Sequence, residues 1–193
     1  MIDRMMPLEF VDNLVSNKHI LLVYKDPKYG QIIQFRFLNN GLLKGESCVF
    51  LTEGDPKVIA HEMKKNGIDV DSYLQKNLLH IYQIPNLIED PDGILKGCEK
   101  ILQKIKSELK SPYRVVGRVI PDISTEAGLE VEYALERIFH ANYDGFDGSF
   151  LCHYDSTKIP LERRAQWIDK LARTHHAVIY ADGTERSQAY LVS

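Results

Sequence analysis

Short apolar segments of strand length alternate along the chain with segments of helix length, and this alternation constrains the fold more than any other feature. The first such segment, HILLVY at 19–24, is a continuous apolar run, typical of a strand buried on both faces of a parallel sheet. Segments of the same kind follow at 47–52, 78–84, 113–120, 148–155 and 176–181. Strands that alternate with helices imply a parallel sheet with helices on both faces. The pattern therefore predicts one α/β domain over residues 1–193.

Capping signals between the strands set the expected helix boundaries. One helix is expected from Asp55-Pro56 to Asn66-Gly67, because proline favours the first position of a helix and glycine the position after its end. After a turn at 25–30, a second helix is expected from Gln31 to Asn40, with Gly41 as its C-terminal cap. The remaining helices are expected at 1–16, 91–109, 125–141 and 160–173, so that an N-terminal helix precedes a core of about 17–185.

The composition restricts the classes of protein to which the chain can belong. Of the 193 residues, 44% are hydrophobic and 26% are charged, which is ordinary for a globular protein with its own core. No apolar run approaches the ~20 residues of a membrane span, and the first residues include acids rather than the apolar stretch of a secretory signal. The three cysteines form no CxxC pair, which favours reduced thiols. We therefore expect a cytoplasmic protein with no membrane association.

The charge pattern argues against a nucleic-acid partner. The chain has 24 basic and 27 acidic residues, for a formal charge of −3. Proteins that bind nucleic acid usually present a basic stripe. Here the lysine clusters are interleaved with acids at helical spacing, the pattern of a solvated helix face. We expect no nucleic acid among the partners.

Polar and aromatic residues follow several of the predicted strands. In open parallel sheets, ligands bind beyond the carboxyl ends of the strands, so these residues predict a small-molecule site. Successive residues of a strand point to opposite faces, so Cys152 shares a face with Tyr154 and not with His153. The predicted ligand-binding residues are Tyr24, Asp26, Thr52, Arg118, Cys152 and Tyr154.

The segment after the first strand stands where a phosphate-binding loop would lie, but it lacks the residues of one. Such a loop reads GxxxxGK[ST], with glycines that expose backbone N–H groups and a lysine for the outer phosphates. Here the sequence is VYKDPKYGQII, with Lys28, Gly30 and Gln31 at the corresponding place and no Lys-Ser/Thr pair. Pro27 also removes one N–H donor. We therefore expect neither ATP nor magnesium as a cofactor.

Two parts of the chain resemble a known family. QFRFLNNGLLKGESCVFLTEGDPKVIAHEMKKNGIDV at 34–70 is similar to RecA-superfamily ATPases of the KaiC type. FLCHYDSTKI at 150–159 and ARTHHAVIYADG at 172–183 resemble the signature of the MEDS domain, a KaiC-like sensory domain named from methanogens, methylotrophs and the regulator DcmR. The resemblance covers roughly residues 15–185. It implies a RecA-like three-layer α/β/α fold with a mostly parallel sheet.

The resemblance also implies that the ATPase chemistry has been lost. Gly30 falls where such ATPases carry the phosphate-binding lysine, and Gln31 falls where they carry the magnesium-binding threonine. Of the acidic pair that activates water, Asp55 alone is kept, and Arg118 stands near the place of the magnesium-holding aspartate. An arginine there can hold an anion or a carboxylate with two hydrogen bonds.

The function that the resemblance implies is sensory rather than catalytic. MEDS domains are thought to bind small hydrocarbon derivatives and usually sit beside a histidine kinase or a DNA-binding module. We therefore expect a small-molecule ligand and a signalling or regulatory protein partner, and we expect no enzymatic activity. One alternative is a catalytically inactive KaiC- or RecA-like paralogue that acts in protein assembly, with a homo-oligomer among the arrangements. Another is an ATPase that uses Asp55 and a helix dipole in place of the lysine.

Other groups of chemically active residues have simpler interpretations. Glu132 and Glu136 share one face of a predicted helix, and Arg137 beside them favours a solvated face. The pair His175-His176 opens the last predicted strand, where a capping or packing role is favoured. Trp167 is expected in the core.

Overall fold

The computed structural model describes residues 5–14, 17–118, 122–183 and 187–192, and its centre is one seven-stranded sheet. The strands are β1 His19–Tyr24, β2 Ser47–Thr52, β3 Leu79–Gln83, β4 Tyr113–Val116, β5 Gly148–Asp155, β6 Ala177–Ala181 and β7 Gln188–Leu191. The helices are α1 Pro7–Asp12, α2 Pro27–Lys44, α3 Pro56–Lys65, α4 Val70–Gln75, α5 Ile94–Glu108, α6 Glu126–Ala141 and α7 Leu161–Ala172.

The strands lie in the order β3-β2-β4-β5-β1-β6-β7, and every neighbouring pair is parallel except β6 and β7. The mostly parallel α/β sheet predicted from the sequence is therefore confirmed. Among the described residues, no helix is long and apolar enough to cross a membrane.

Two hydrophobic cores cover the two faces of the sheet, which makes the structure three-layered. Ile20 and Leu22 of β1 pack into the core that α1 to α4 share. Leu21 and Val23 of the same strand pack into the core of α5 to α7. Adjacent residues thus enter opposite cores, which is why this strand has no polar alternation.

Helix α2 is longer at both ends than the sequence pattern predicts. It begins at Pro27, inside the expected turn, and it runs through Asn40 and Gly41 to Lys44. The prediction that Gly41 caps the helix was wrong, because this glycine makes room for a side chain from β4: a Cβ atom there would lie 2.6 Å from Cδ of Arg114. The helix ends instead at Gly45, which has the left-handed φ of 77°.

Other differences concern short or terminal elements. The N-terminal helix spans Pro7–Asp12 rather than 1–16, of which residues 1–4 and 15–16 lie outside the described residues. Strand β4 ends at Val116, four residues before its predicted end, and 119–121 lie outside the described residues. Helix α4 and the antiparallel edge strand β7 were not predicted, because at six and four residues they are too short to show a period.

Candidate functional site

A cavity of about 360 Å³ lies beyond the carboxyl ends of the strands, and we call it the strand-end cavity. Tyr24 ends β1, Thr52 ends β2 and Asp155 ends β5, so their side chains meet at this edge of the sheet. Gln31 and Gln34 reach it from α2. The cavity therefore occupies the place in which the sequence predicts a ligand.

The connection from β1 to α2 leaves no room for a phosphate-binding loop. Two residues, Lys25 and Asp26, separate the strand from the helix. The carboxylate of Asp26 caps the helix by accepting a hydrogen bond of 2.9 Å from the backbone N–H of Lys28. Gly30 lies against the ring of Tyr24, since a Cβ atom on it would be 2.6 Å from Cγ of that ring. A carboxylate and an aromatic ring thus lie at the helix N-terminus, where an anion would otherwise bind.

Arg118 follows β4 and lines the strand-end cavity. Its Nη2 lies 3.7 Å from Oε1 of Glu53, and its side chain is only 11% exposed. His153 lines the same cavity, and burial together with the charge of Arg118 lowers its pKa to about 3. At neutral pH this wall therefore presents one guanidinium and one neutral imidazole.

A second cavity, of about 320 Å³, lies on the other face of the sheet beneath α5 and α6, and we call it the apolar cavity. Its walls are mostly aliphatic and aromatic side chains, namely Leu51, Leu95, Ile101, Leu102, Leu135, Ile138, Phe139 and Phe150. Its polar lining includes Glu132, Glu136, Cys152 and Arg118. An apolar pocket with a few convergent polar groups is the usual composition of a small-ligand site.

Glu132 and Glu136 are buried beneath this cavity, so the expectation of a solvated face was wrong for them. Their exposures are 2% and 6%. The hydroxyl of Tyr154 explains the burial, because it makes hydrogen bonds with Oε1 of Glu132, at 2.7 Å, and with Oε1 of Glu136. Trp167, in the core as predicted, packs edge-on against the ring of Tyr154 with 5.2 Å between centroids.

Burial sets the ionisation of the groups at the floor of the apolar cavity. Burial, and then the charge of Glu136, raises the pKa of Glu132 to about 8. Burial also opposes ionisation of Glu136, but His175 and His19 outweigh it and lower the pKa of that carboxyl. Burial raises the pKa of the Cys152 thiol and lowers the pKa of His175 to about 3. At neutral pH the floor thus contains a protonated Glu132 next to an ionised Glu136.

Four side chains with metal-ligating atoms meet at this floor, and we call them the His–Glu–Cys cluster: His19, Glu136, Cys152 and His175. One ligating atom from each lies within 4.8 Å of the others, and all four residues are buried. Nε2 of His19 is 3.1 Å from Oε2 of Glu136 and 3.3 Å from Sγ of Cys152. Nε2 of His175 is 3.6 Å from the same Oε2. The cluster draws on β1, α6, β5 and the turn before β6.

The structure does not bring the six predicted ligand-binding residues together. Tyr24 and Thr52 line the strand-end cavity, Cys152 lines the apolar cavity, and Arg118 lies between and lines both. Asp26 caps α2, and Tyr154 is fully buried under the two glutamates. At the place where the sequence predicts a degenerate phosphate-binding loop, Lys28, Gly30 and Gln31 all belong to the first turns of α2, and Gln31 lines the strand-end cavity.

Sequence reasoning missed His19, Glu136 and His175 as members of one cluster. Each carried a weak signal: His19 opens an otherwise apolar strand, Glu136 lies one turn after Glu132, and His175 precedes a buried strand. Their meeting depends on the order in which β1, β5 and β6 lie side by side in the sheet.

Comparisons with known proteins agree with this architecture. A family model described as the MEDS domain, the methanogen/methylotroph, DcmR sensory domain, matches residues 18–176. No curated protein sequence matches the chain. The crystal structure of a KaiC-like protein from the hyperthermophilic archaeon Pyrococcus horikoshii is similar, with a TM-score of 0.57 and 18% identity over 91% of this chain and 77% of that one. At that identity the likeness shows the fold, and it confirms the KaiC-like, RecA-type architecture that the sequence predicts.

Proposed function

Because the chain belongs to the MEDS family of sensory domains, we propose that it binds a small hydrocarbon derivative in the apolar cavity, without catalysis, and signals to a regulatory protein partner. The observation that carries this proposal is the composition of that cavity. Its volume of about 320 Å³ suits a molecule of up to about a dozen heavy atoms. Apolar walls favour an alkyl or halogenated body through burial of its surface.

The polar floor supports a ligand that carries one polar group. Glu132 is protonated at neutral pH, and its proton goes to the hydroxyl of Tyr154, which in turn donates its own proton to the carboxylate of Glu136. Oε2 of Glu132 is buried and has no hydrogen-bond partner among the described residues, so it can accept a hydrogen bond from a ligand. An alcohol or an amine offers a donor for this oxygen, and a plain alkane would leave it unsatisfied. We therefore propose a short alcohol, amine or similar derivative as the ligand class.

The β1–α2 connection supports the absence of ATPase activity. Phosphoryl transfer depends on a positioned cation and metal at the phosphates, and here the helix N-terminus is capped by the carboxylate of Asp26. That negative charge opposes a phosphate group at the same N–H donors. We expect Mg·ATP to give no stabilisation.

The cavity position supports a route from binding to output. Its walls come from α5, α6 and two strands, so a ligand inside would contact two helices that otherwise border a void. A ligand can shift an equilibrium only through such differential contacts. We propose that the partner protein recognises a ligand-dependent change in the packing of α5 against α6.

A thermal-unfolding panel tests the proposal, with short alcohols, alkylamines, methylated and halogenated compounds, and Mg·ATP as probes. A compound at about 100 times its dissociation constant should stabilise the protein by roughly 2.7 kcal/mol. Leu135→Trp, which fills the cavity, should abolish that stabilisation. Val131→Trp is the matched control, because it lies one turn away on α6, is 39% exposed and does not line the cavity.

Each other outcome of this panel contradicts a specific part of the proposal. Stabilisation that survives in Leu135→Trp would place the ligand elsewhere. If it is then lost in Thr52→Val, which changes a residue that lines the strand-end cavity and not the apolar one, the strand-end cavity would be favoured. Stabilisation by Mg·ATP would favour an ATPase with an unusual loop. If no compound in the panel stabilises the protein, the assembly role would be favoured.

A further inference from the structure

The His–Glu–Cys cluster has the donor set of a transition-metal site, and we propose that His19, Glu136, Cys152 and His175 bind one Zn²⁺-class divalent ion. Two imidazoles, one thiolate and one carboxylate provide four ligands, the number that zinc takes in tetrahedral sites. Thiolate and imidazole together select zinc and its neighbours in the first transition row over magnesium or calcium.

The distances within the cluster suit such an ion. Donor atoms on a tetrahedral zinc are about 3.3–3.8 Å apart, given bonds of about 2.0–2.3 Å. The measured contacts are 3.1 Å from His19 to Glu136, 3.3 Å from His19 to Cys152, and 3.6 Å from His175 to Glu136. The largest separation, 4.8 Å at most, needs to close by about 1 Å.

The tautomer of His175 provides a second, independent indication. Its Nδ1 lies 2.7 Å from the carbonyl oxygen of Leu171. A carbonyl oxygen accepts only, so Nδ1 carries the proton and Nε2 carries a lone pair. That Nε2 is buried and has no hydrogen-bond partner among the described residues. An imidazole that donates one ring N–H to a backbone carbonyl and leaves its other nitrogen free is the usual arrangement of a metal-bound histidine.

The surroundings of Glu136 fit the same assignment. Oε1 of this carboxylate is held by the hydroxyl of Tyr154, which leaves Oε2 directed at His19 and His175. The rings of His19 and His175 are stacked with 3.9 Å between centroids, and their Nε2 atoms lie 3.1 and 3.6 Å from that oxygen. Tyr154 is therefore a positioning residue, one that orients a ligand without contacting the ion.

The apolar cavity gives the ion a route to the cluster. Glu136 and Cys152 belong both to the cluster and to the cavity lining, so a buried ion would still face the open space. On the proposed function, a hydroxyl, amine or thiol head group in the cavity would reach the ion. The metal site itself does not depend on that ligand, and it can be tested without one.

The test is a titration of chelator-treated, reduced protein with Co²⁺, followed by displacement with Zn²⁺. We expect one equivalent of Co²⁺ to give the visible bands of a tetrahedral ion together with a thiolate-to-cobalt charge-transfer band in the near ultraviolet. Cys152→Ser should abolish the charge-transfer band. Cys98→Ser is the matched control, because Cys98 lines the same cavity but lies outside the cluster.

Two further variants keep the test decisive if Cys152→Ser fails to fold. His175→Gln should lose the visible bands, and Tyr154→Phe should weaken Co²⁺ binding by about 10- to 100-fold, the effect of removing a group that orients a ligand. A wild-type protein that gives no cobalt bands would overturn the proposal. So would a charge-transfer band that survives in Cys152→Ser or disappears in Cys98→Ser.

The small-molecule panel, repeated on the metal-free protein, separates this proposal from the proposed function. Stabilisation by a small molecule without any cobalt binding would contradict the metal site and leave the sensory role intact. Cobalt binding without a small-molecule effect would support the metal site and contradict the sensory role.

Discussion

Arg114 is a buried cation whose partners are all on neighbouring elements. Its exposure is 2%, and its guanidinium makes hydrogen bonds of 2.6 and 2.9 Å with the two carboxylate oxygens of Glu46. A third hydrogen bond of 3.1 Å reaches the carbonyl oxygen of Phe37 in α2. The centre of the Phe37 ring lies 4.9 Å from Cζ of Arg114. A buried charge is tolerated here because all three guanidinium nitrogens of Arg114 donate to an acceptor.

Removing Arg114 should therefore cost much more than removing an exposed arginine. We expect Arg114→Met to lower the free energy of unfolding by about 3 kcal/mol, because Glu46 would be left with a partly buried, unpaired charge. Arg36→Met is the matched control. Arg36 pairs with Asp12 in the same two-bonded geometry, but its side chain is 51% exposed, so the loss should stay below about 1 kcal/mol.

Urea unfolding of both variants measures the difference. Equal losses in Arg114→Met and Arg36→Met would mean that burial does not determine the contribution of this pair. In the double variant Arg114→Met with Glu46→Gln, part of the stability should return, since the unpaired charge is then gone.

The buried glutamates mark the limit of prediction at the residue scale. Two acidic residues at i and i+4 beside Arg137 are as compatible with a solvated helix face as with a buried pair. What buries Glu132 and Glu136 is the hydroxyl of Tyr154, which β5 brings beneath α6 from about twenty positions along the chain. Arg118 was predictable as a residue beyond the end of a strand, but this tertiary contact was not.

At the scale of elements, α2 shows how a close contact can override a local signal. Asn40-Gly41 has the chemistry of a helix end, yet the helix continues for another turn because Gly41 lies against the side chain of Arg114. Short apolar runs such as β1 were predicted to the residue, since a continuous apolar run bounded by polar residues is typical of a strand buried on both faces. The edge strand β7 is paired on one side by β6 and carries too few residues for a pattern.

Gly41→Ala should destabilise the protein even though alanine is the better helix former. Helix propensity alone would add about 1 kcal/mol of stability. The new Cβ atom, however, would lie 2.6 Å from Cδ of Arg114 and 2.8 Å from Sγ of Cys48. Because Glu46 holds the arginine in place, we expect a net loss of about 1–3 kcal/mol from overpacking.

Chemical unfolding measures this effect, with Leu43→Ala as the control on the same helix. Leu43 is 70% exposed, so its change should stay within about 0.5 kcal/mol. A more stable Gly41→Ala protein would show that the arginine side chain moves freely, and it would contradict the close packing between α2 and β4.

At the scale of the whole molecule, the two faces of one sheet carry different chemistry. The α2 face ends in the strand-end cavity, which Tyr24 lines, and Asp26 caps α2 beside it. The α5–α6 face holds the apolar cavity and the His–Glu–Cys cluster. On the proposed function, the ligand lies on the α5–α6 face, because function follows the site and not the architecture.

The shared sheet also predicts that both cores unfold together, as the single domain expected from the sequence requires. The chain has one tryptophan, Trp167, and it is buried in the core of α7, so its fluorescence reports on that face alone. Ile33→Val lies in the opposite core, on α2, and should cost about 1 kcal/mol. With an urea m-value of about 1–3 kcal/mol/M, the midpoint should fall by about 0.3–1 M. If the sheet couples the faces, tryptophan fluorescence and far-ultraviolet circular dichroism should show the same fall.

The mirror variant Ile105→Val, in α5 on the tryptophan side, should shift both signals in the same way. A fluorescence midpoint that is unchanged in Ile33→Val but falls in Ile105→Val would mean that the two cores unfold separately. In that case a ligand in the apolar cavity would stabilise only its own face, and the route from binding to output would have to remain within α5, α6 and α7. Coincident shifts, which we expect because β1 contributes alternate residues to both cores, would allow a ligand on one face to stabilise the whole domain.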